Sequence, residues 1–139
     1  MNVKGFTCVL LLLWLPQAAG AQSFKVYPGA RADNKIIQGA RKEPSVQGYD
    51  LKVYFTPDSF EKVRAFYSSL YHQMPAPHAP KEAPKLRWAF FAIDGAAKLY
   101  ESKYWIKVQR PYFASRVDKH MPDYHSARDE TVIEVVQKK

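Results

Sequence analysis

The chain has 139 residues and only one cysteine, Cys8. Cys8 stands at the start of an apolar run, Phe6 to Leu15, whereas an acylated lipoprotein cysteine follows such a run. A lipid anchor is therefore not expected. Beyond Cys8 there is no disulfide and no thiol chemistry to draw on, so the fold must rest on an ordinary hydrophobic core. Glycine is sparse, with six residues in all. None lies in a Gly-x-Ser-x-Gly elbow or a phosphate-cradling loop, which removes two common signatures of hydrolases and nucleotide binders. The formal charge is +8, yet the basic residues are scattered, without a dense block or a nucleic-acid motif. Specific nucleic-acid binding is therefore not expected. No apolar run reaches the roughly 20 residues that span a bilayer.

What is present starts with an export signal. Lys4 is the one charge before the run FTCVLLLLWL, which Pro16 closes and the small residues Ala18, Ala19, Gly20 and Ala21 follow. A charged start, an apolar core of this length and small residues after it read as a secretory signal peptide over residues 1–22, cleaved near Ala21 or Gln22. The expected location is periplasmic or extracellular, with no transmembrane anchor in the mature chain. A basic exported protein is drawn electrostatically to anionic envelope material, whether headgroups, polyanionic glycans or acidic partner proteins.

Residues 23–48 read as an irregular N-terminal arm with a Pro28-Gly29 turn, in which glycine accepts the positive φ of a type II turn. Residues 49–139 read as a single α+β domain. Tyr49 to Thr56 alternates apolar and polar positions and is expected to be a half-buried strand. Asp58 with Glu61 forms the N-cap pair of a helix whose apolar stripe runs Phe60, Val63, Phe66, Tyr67, Leu70, Tyr71. His72 to Pro84 holds four prolines and reads as an extended connector. Strands are expected over Lys85 to Ile93, ending at the Asp94-Gly95 turn, over Tyr104 to Gln109, and over Thr131 to Val136. Ala114 to Arg128 reads as a loop. The order predicts a mainly antiparallel sheet of about four strands with one amphipathic helix on one face.

The sequence offers three kinds of candidate site. Asp118, His120, Asp123 and His125 fall within eight positions, and such imidazoles and carboxylates suit zinc or another divalent transition metal. Their spacing matches no compact motif, and solvated loop residues are the commoner reason for such a cluster. For catalysis no residue is specified as acid, base or nucleophile, so a hydrolase of unrecognised type ranks behind binding, and no cofactor is implied. Aromatic side chains beside cations offer the third possibility. Arg87, Trp88, Trp105, Arg110 and Tyr112 form the expected ligand set, since aromatic faces next to guanidinium groups suit planar, sugar-like or anionic ligands. Core filling competes for each of these aromatics.

Three stretches together resemble a group of small exported bacterial domains of unknown function. They are Val26-Tyr27-Pro28-Gly29-Ala30-Arg31, Thr56-Pro57-Asp58-Ser59-Phe60-Glu61-Lys62-Val63 with Phe66-Tyr67, and Val108-Gln109-Arg110-Pro111-Tyr112 followed by Thr131-Val132-Ile133. The resemblance covers most of the chain after residue 22. It implies an envelope location and an α+β fold, and it carries no catalytic residue or ligand with it.

Overall fold

Alternation within the strands sets the architecture, because it assigns every second side chain to one face of a sheet. The computed structural model describes residues 23–79, 85–112 and 128–139. Six strands, β1 (Arg31–Ala32), β2 (Tyr49–Thr56), β3 (His72–Met74), β4 (Arg87–Ala92), β5 (Tyr104–Arg110) and β6 (Thr131–Lys138), form one sheet in the order β1-β2-β6-β5-β4-β3. All neighbours are antiparallel. Among the described residues two α-helices accompany it, α1 (Asn34–Ala40) and α2 (Phe60–Ser68), with a short 3-10 helix at Pro44–Val46.

The α+β class and the antiparallel sheet match the expectation, and the four expected strands are β2, β4, β5 and β6. The sheet is wider than expected, with six strands in place of about four. Both extra strands lie at its edges, in stretches too short to show a period. β1 has two residues and β3 has three. β3 precedes Pro75, so the proline-rich connector begins only once an edge strand has paired with β4, which is where a neighbouring proline is tolerated. The segment expected to be an irregular arm also contains α1, capped by Asp33, whose carboxylate accepts from the Lys35 and Ile36 amides.

The Pro28-Gly29 turn forms as expected. Gly29 has a φ of 77° and the Ala30 amide donates to the Tyr27 carbonyl at 3.1 Å. The cap of α2 is displaced by one residue from the expected Asp58. Ser59 caps it, accepting from the Lys62 amide at 3.3 Å. Asp58 is drawn away because its carboxylate accepts from the Tyr27 hydroxyl at 2.6 Å, and Glu61 turns outward to pair with Arg87.

The stripe of α2 packs on one sheet face. Phe60, Val63, Tyr67 and Tyr71 meet Ala89, Phe91, Ile93, Ile106, Val108, Ile133 and Val135. Tyr67 is fully buried, and its hydroxyl has no hydrogen-bond partner among the described residues. Desolvation holds its phenol well above the ordinary range. Among the described residues, the opposite face is covered mainly at its margins. At one side Ile36 and Ile37 of α1 lie against Val53, Phe55 and Val132. At the other, Ala96 and Leu99 of the β4–β5 loop, together with Trp88 and Trp105, lie against Met74, Phe90 and Ala92. Asp94 fastens that loop: its carboxylate accepts from the Ala96, Lys103 and Tyr104 amides and the Ser102 hydroxyl.

Candidate functional site

Register decides which of the expected ligand residues can act together. Trp88 stands opposite Gln109, and Trp105 lies opposite Ala92 and Val136, so both indoles belong to the face away from α2. Arg87 and Arg110 are a matched pair on the other face, since each is offset by one residue from its neighbouring tryptophan or glutamine. Of the expected set, the register therefore puts the two tryptophans on one face and the two arginines on the other.

Arg110 is committed to the fold. Its Nε donates to the Asp129 carboxylate at 3.1 Å. Nη1 reaches the carbonyls of Pro57 and Asp58 and the Thr131 hydroxyl, and Nη2 reaches the Asp129 carbonyl at 2.9 Å. The guanidinium, only 16% exposed, thus ties the end of β5 to the start of α2 and the start of β6. A guanidinium can fill this place because its fan of donors meets several acceptors at once. Arg87 lies over the Phe60 ring at 5.2 Å and pairs with Glu61. Tyr112 is buried edge-on against Phe55, with ring centroids 5.0 Å apart. Burial, with the nearby Glu134 carboxylate, pushes its phenol up to about 12. These three side chains brace the molecule.

The two tryptophans keep different company. Trp88 is half-buried, and its indole N–H donates to the Pro77 carbonyl at 2.8 Å. Trp105, also half-buried, meets Tyr49 edge-on at 5.9 Å, and the Lys138 ammonium sits over its ring at 5.9 Å. Between the indoles lies a cross-strand ion pair, Lys107 to Glu134 at 3.0 Å, with the two side chains 22% and 23% exposed. The Lys107 ammonium is also 5.9 Å from the Trp88 ring centre. Trp88 is paired in register four residues along β5 from Trp105, about 13 Å along the strand at ordinary rise. The result is a track across one face: indole, ion pair, indole, tyrosine and lysine.

Glu134, Lys138 and Tyr49 were not among the expected ligand residues. Glu134 had a visible signal, as the one charge inside the apolar run TVIEVV, which implies a cross-strand cation. Finding Lys107 as that cation required the β5–β6 register. The expected metal residues Asp118, His120, Asp123 and His125 lie outside the described residues. What is described is the base of their loop, where the Tyr112 and Arg128 main chains exchange two hydrogen bonds of 3.0 and 3.1 Å. Arg128 also covers the Phe55 ring at 4.2 Å and pairs with Glu130 and Asp33. Among the described residues no three His, Cys, Asp or Glu side chains converge to hold a metal, and no helix is long and apolar enough to cross a membrane.

Comparison with protein-family models, with curated proteins and with solved structures found no match for this chain.

Proposed function

We propose that the protein is an exported, non-catalytic binding domain for an anionic or glycan-like component of the cell envelope, engaged by the sheet face opposite α2. The observation that carries this reading is the half-buried Lys107–Glu134 pair set between Trp88 and Trp105. An ion pair on a sheet face is partly desolvated and contributes little net stability against an apolar pair of the same shape. Its placement between two indoles and beside Lys138 gives a ligand what it needs: flat apolar surfaces for sugar rings, a carboxylate to accept from hydroxyls, and cations for acid groups. The overall charge of +8 favours approach to polyanions. The resemblance to small exported bacterial domains accords with an envelope location.

Titration of the purified protein with dextran sulfate and with alginate, using uncharged dextran as the control, tests this reading. Binding to the charged polymers is expected, weakening as salt is raised because exposed charges are screened beyond about 8–10 Å. Trp105→Ala is expected to lower affinity about tenfold or more. Equal binding of wild type and Trp105→Ala, or no binding to either charged polymer, contradicts the proposal.

A further inference from the structure

The outer edge of β2 is finished at one end only. β1 pairs with Phe55 and Tyr54, and the Asp33 amide then donates to the Val53 carbonyl at 3.0 Å. At the other end the Lys139 amide donates to the Gly48 carbonyl at 3.0 Å, in line with β6. Main-chain groups alternate sides along a strand. Even-numbered residues of β2 therefore bond to β6, and odd-numbered ones face outward. Tyr49 and Leu51 are the outward positions beyond β1, and among the described residues their main-chain groups have no partner on that side.

The helix α1 lies beside this stretch of β2. Between α1 and β2 there is a cleft of about 570 Å³, lined by Asn34, Ile37, Gln38 and Arg41 from the helix side and by Asp50 to Tyr54 from the strand. That size falls within the usual range for bound ligands, about 300–1,000 Å³. Among the described residues Arg41 and Lys52 enter no ion pair, while Asp50 is answered by Lys139 at 3.7 Å. The unanswered charge of the cleft is positive.

We propose that this cleft receives an extended acidic peptide as a short added strand on β2, held between Leu51 and α1. Leu51 supplies one outward N–H and one outward C=O, the donor–acceptor pair that an added strand needs. Arg41 and Lys52 supply the preference for acidic residues. The open stretch, Tyr49 to Lys52, spans about 13 Å, enough for three or four peptide residues. This edge adjoins the track containing Trp88 and Trp105 at Tyr49, but the proposal uses neither indole and stands or falls independently of that reading.

Two measurements on the isotopically labelled protein test it. In the protein alone, amide hydrogen exchange should be much faster at Leu51 than at Lys52 and Tyr54, which bond to β6. Equal protection at all three would mean the edge is already covered, and would overturn the proposal. A pool of hexapeptides alternating Val, Ile or Thr with Asp or Glu should then shift the Leu51, Ile37 and Arg41 amide resonances and slow exchange at Leu51. Leu51→Pro removes the outward N–H without breaking a bond to β6, a place where an edge strand tolerates proline, and it should abolish the shifts. Arg41→Glu, at the exposed C-cap of α1, decides the matter if Leu51→Pro fails to fold, and should weaken peptide binding about tenfold. Absence of shifts in the cleft at about 1 mM peptide, or undiminished binding by both variants, overturns the proposal.

Discussion

The two faces of the sheet are built from the same strands, in alternate residues, and they have been put to different uses. On the α2 face β4, β5 and β6 contribute Phe91, Ile106, Val108, Ile133 and Val135, which the helix covers. On the other face the same strands contribute Trp88, Trp105, Lys107 and Glu134, all half-buried. Apolar residues on a covered face contribute through area removed from water. Two paired charges in the middle of a sheet face contribute little net stability against an apolar pair of the same shape. The comparison therefore separates residues buried under α2 from half-buried residues on the other face, one position apart in the chain; it is the second set that the proposed function assigns to a ligand.

The comparison can be broken most severely on the covered face. Phe91→Ala, at a fully buried ring, should cost about 3–5 kcal/mol by leaving a cavity under α2, measured by urea unfolding. A loss below about 1 kcal/mol would mean that the α2 face is not the principal core. Next comes Arg110, which serves the fold from the rim of that face. Arg110→Met should cost about 1–3 kcal/mol, because it leaves the Pro57 and Asp129 carbonyls without their side-chain donor and the Asp58 carbonyl with the Thr131 hydroxyl alone. Arg110→Lys should recover only part of this, since one ammonium cannot reach all the acceptors. The third change sharpens the contrast. The double variant Lys107→Met/Glu134→Leu should change stability by no more than about 1 kcal/mol while removing polyanion binding. Loss of stability comparable to Phe91→Ala would make the ion pair a structural element and not a ligand group.

The smallest expected effects are in the pH profile. The Tyr27 phenol is pushed up to about 12 by burial, reinforced by its hydrogen bond to Asp58 and that group's charge. Tyr112 is raised similarly. A group with a raised folded value contributes stability that is complete below its unfolded value, near 10, and is lost as pH climbs toward 12. Tyr27→Phe should accordingly flatten the alkaline limb of the unfolding curve. Asp58 is lowered chiefly by the Tyr27 hydroxyl, and then by Lys62. For Asp94 burial acts upward, but the Lys103 amide, the Ser102 hydroxyl and the Ala96 and Tyr104 amides outweigh it. Lowered carboxyls stabilise above their unfolded value, near 4, and that contribution drains as pH falls below it. Asp94→Asn should flatten the acid limb and loosen the β4–β5 loop at neutral pH. An unchanged acid limb would show that the loop is held by other contacts.

Long periodic segments made the fold class legible before any coordinates. The stripe from Phe60 to Tyr71 named the helix and its buried side, and the alternation in YDLKVYFT and YWIKVQ named two strands. Edges were not legible, because two or three residues such as Arg31-Ala32 or His72-Gln73-Met74 carry no period and are fixed only by the strand they pair with. The cap at Ser59 is hidden for a similar reason. Asp58 is the better local candidate until Tyr27, 31 residues earlier, takes its carboxylate. The site was half legible. Trp105 and Lys107 sit two apart in a strand and share a face by alternation alone. Arg87 and Arg110 were grouped with them by proximity in sequence, and the pleat sends them to the other side. Glu134 joins the site only through the β5–β6 register, a long-range fact.

The most direct test of the division between faces is a resonance-by-resonance titration of the labelled protein with dextran sulfate. The account predicts shifts at the Trp105 and Trp88 indole N–H and at the Lys107, Glu134 and Lys138 amides, with the Val63, Tyr67 and Phe91 amides unmoved. Shifts centred on α2 and its covered face, or none at either indole, would contradict it.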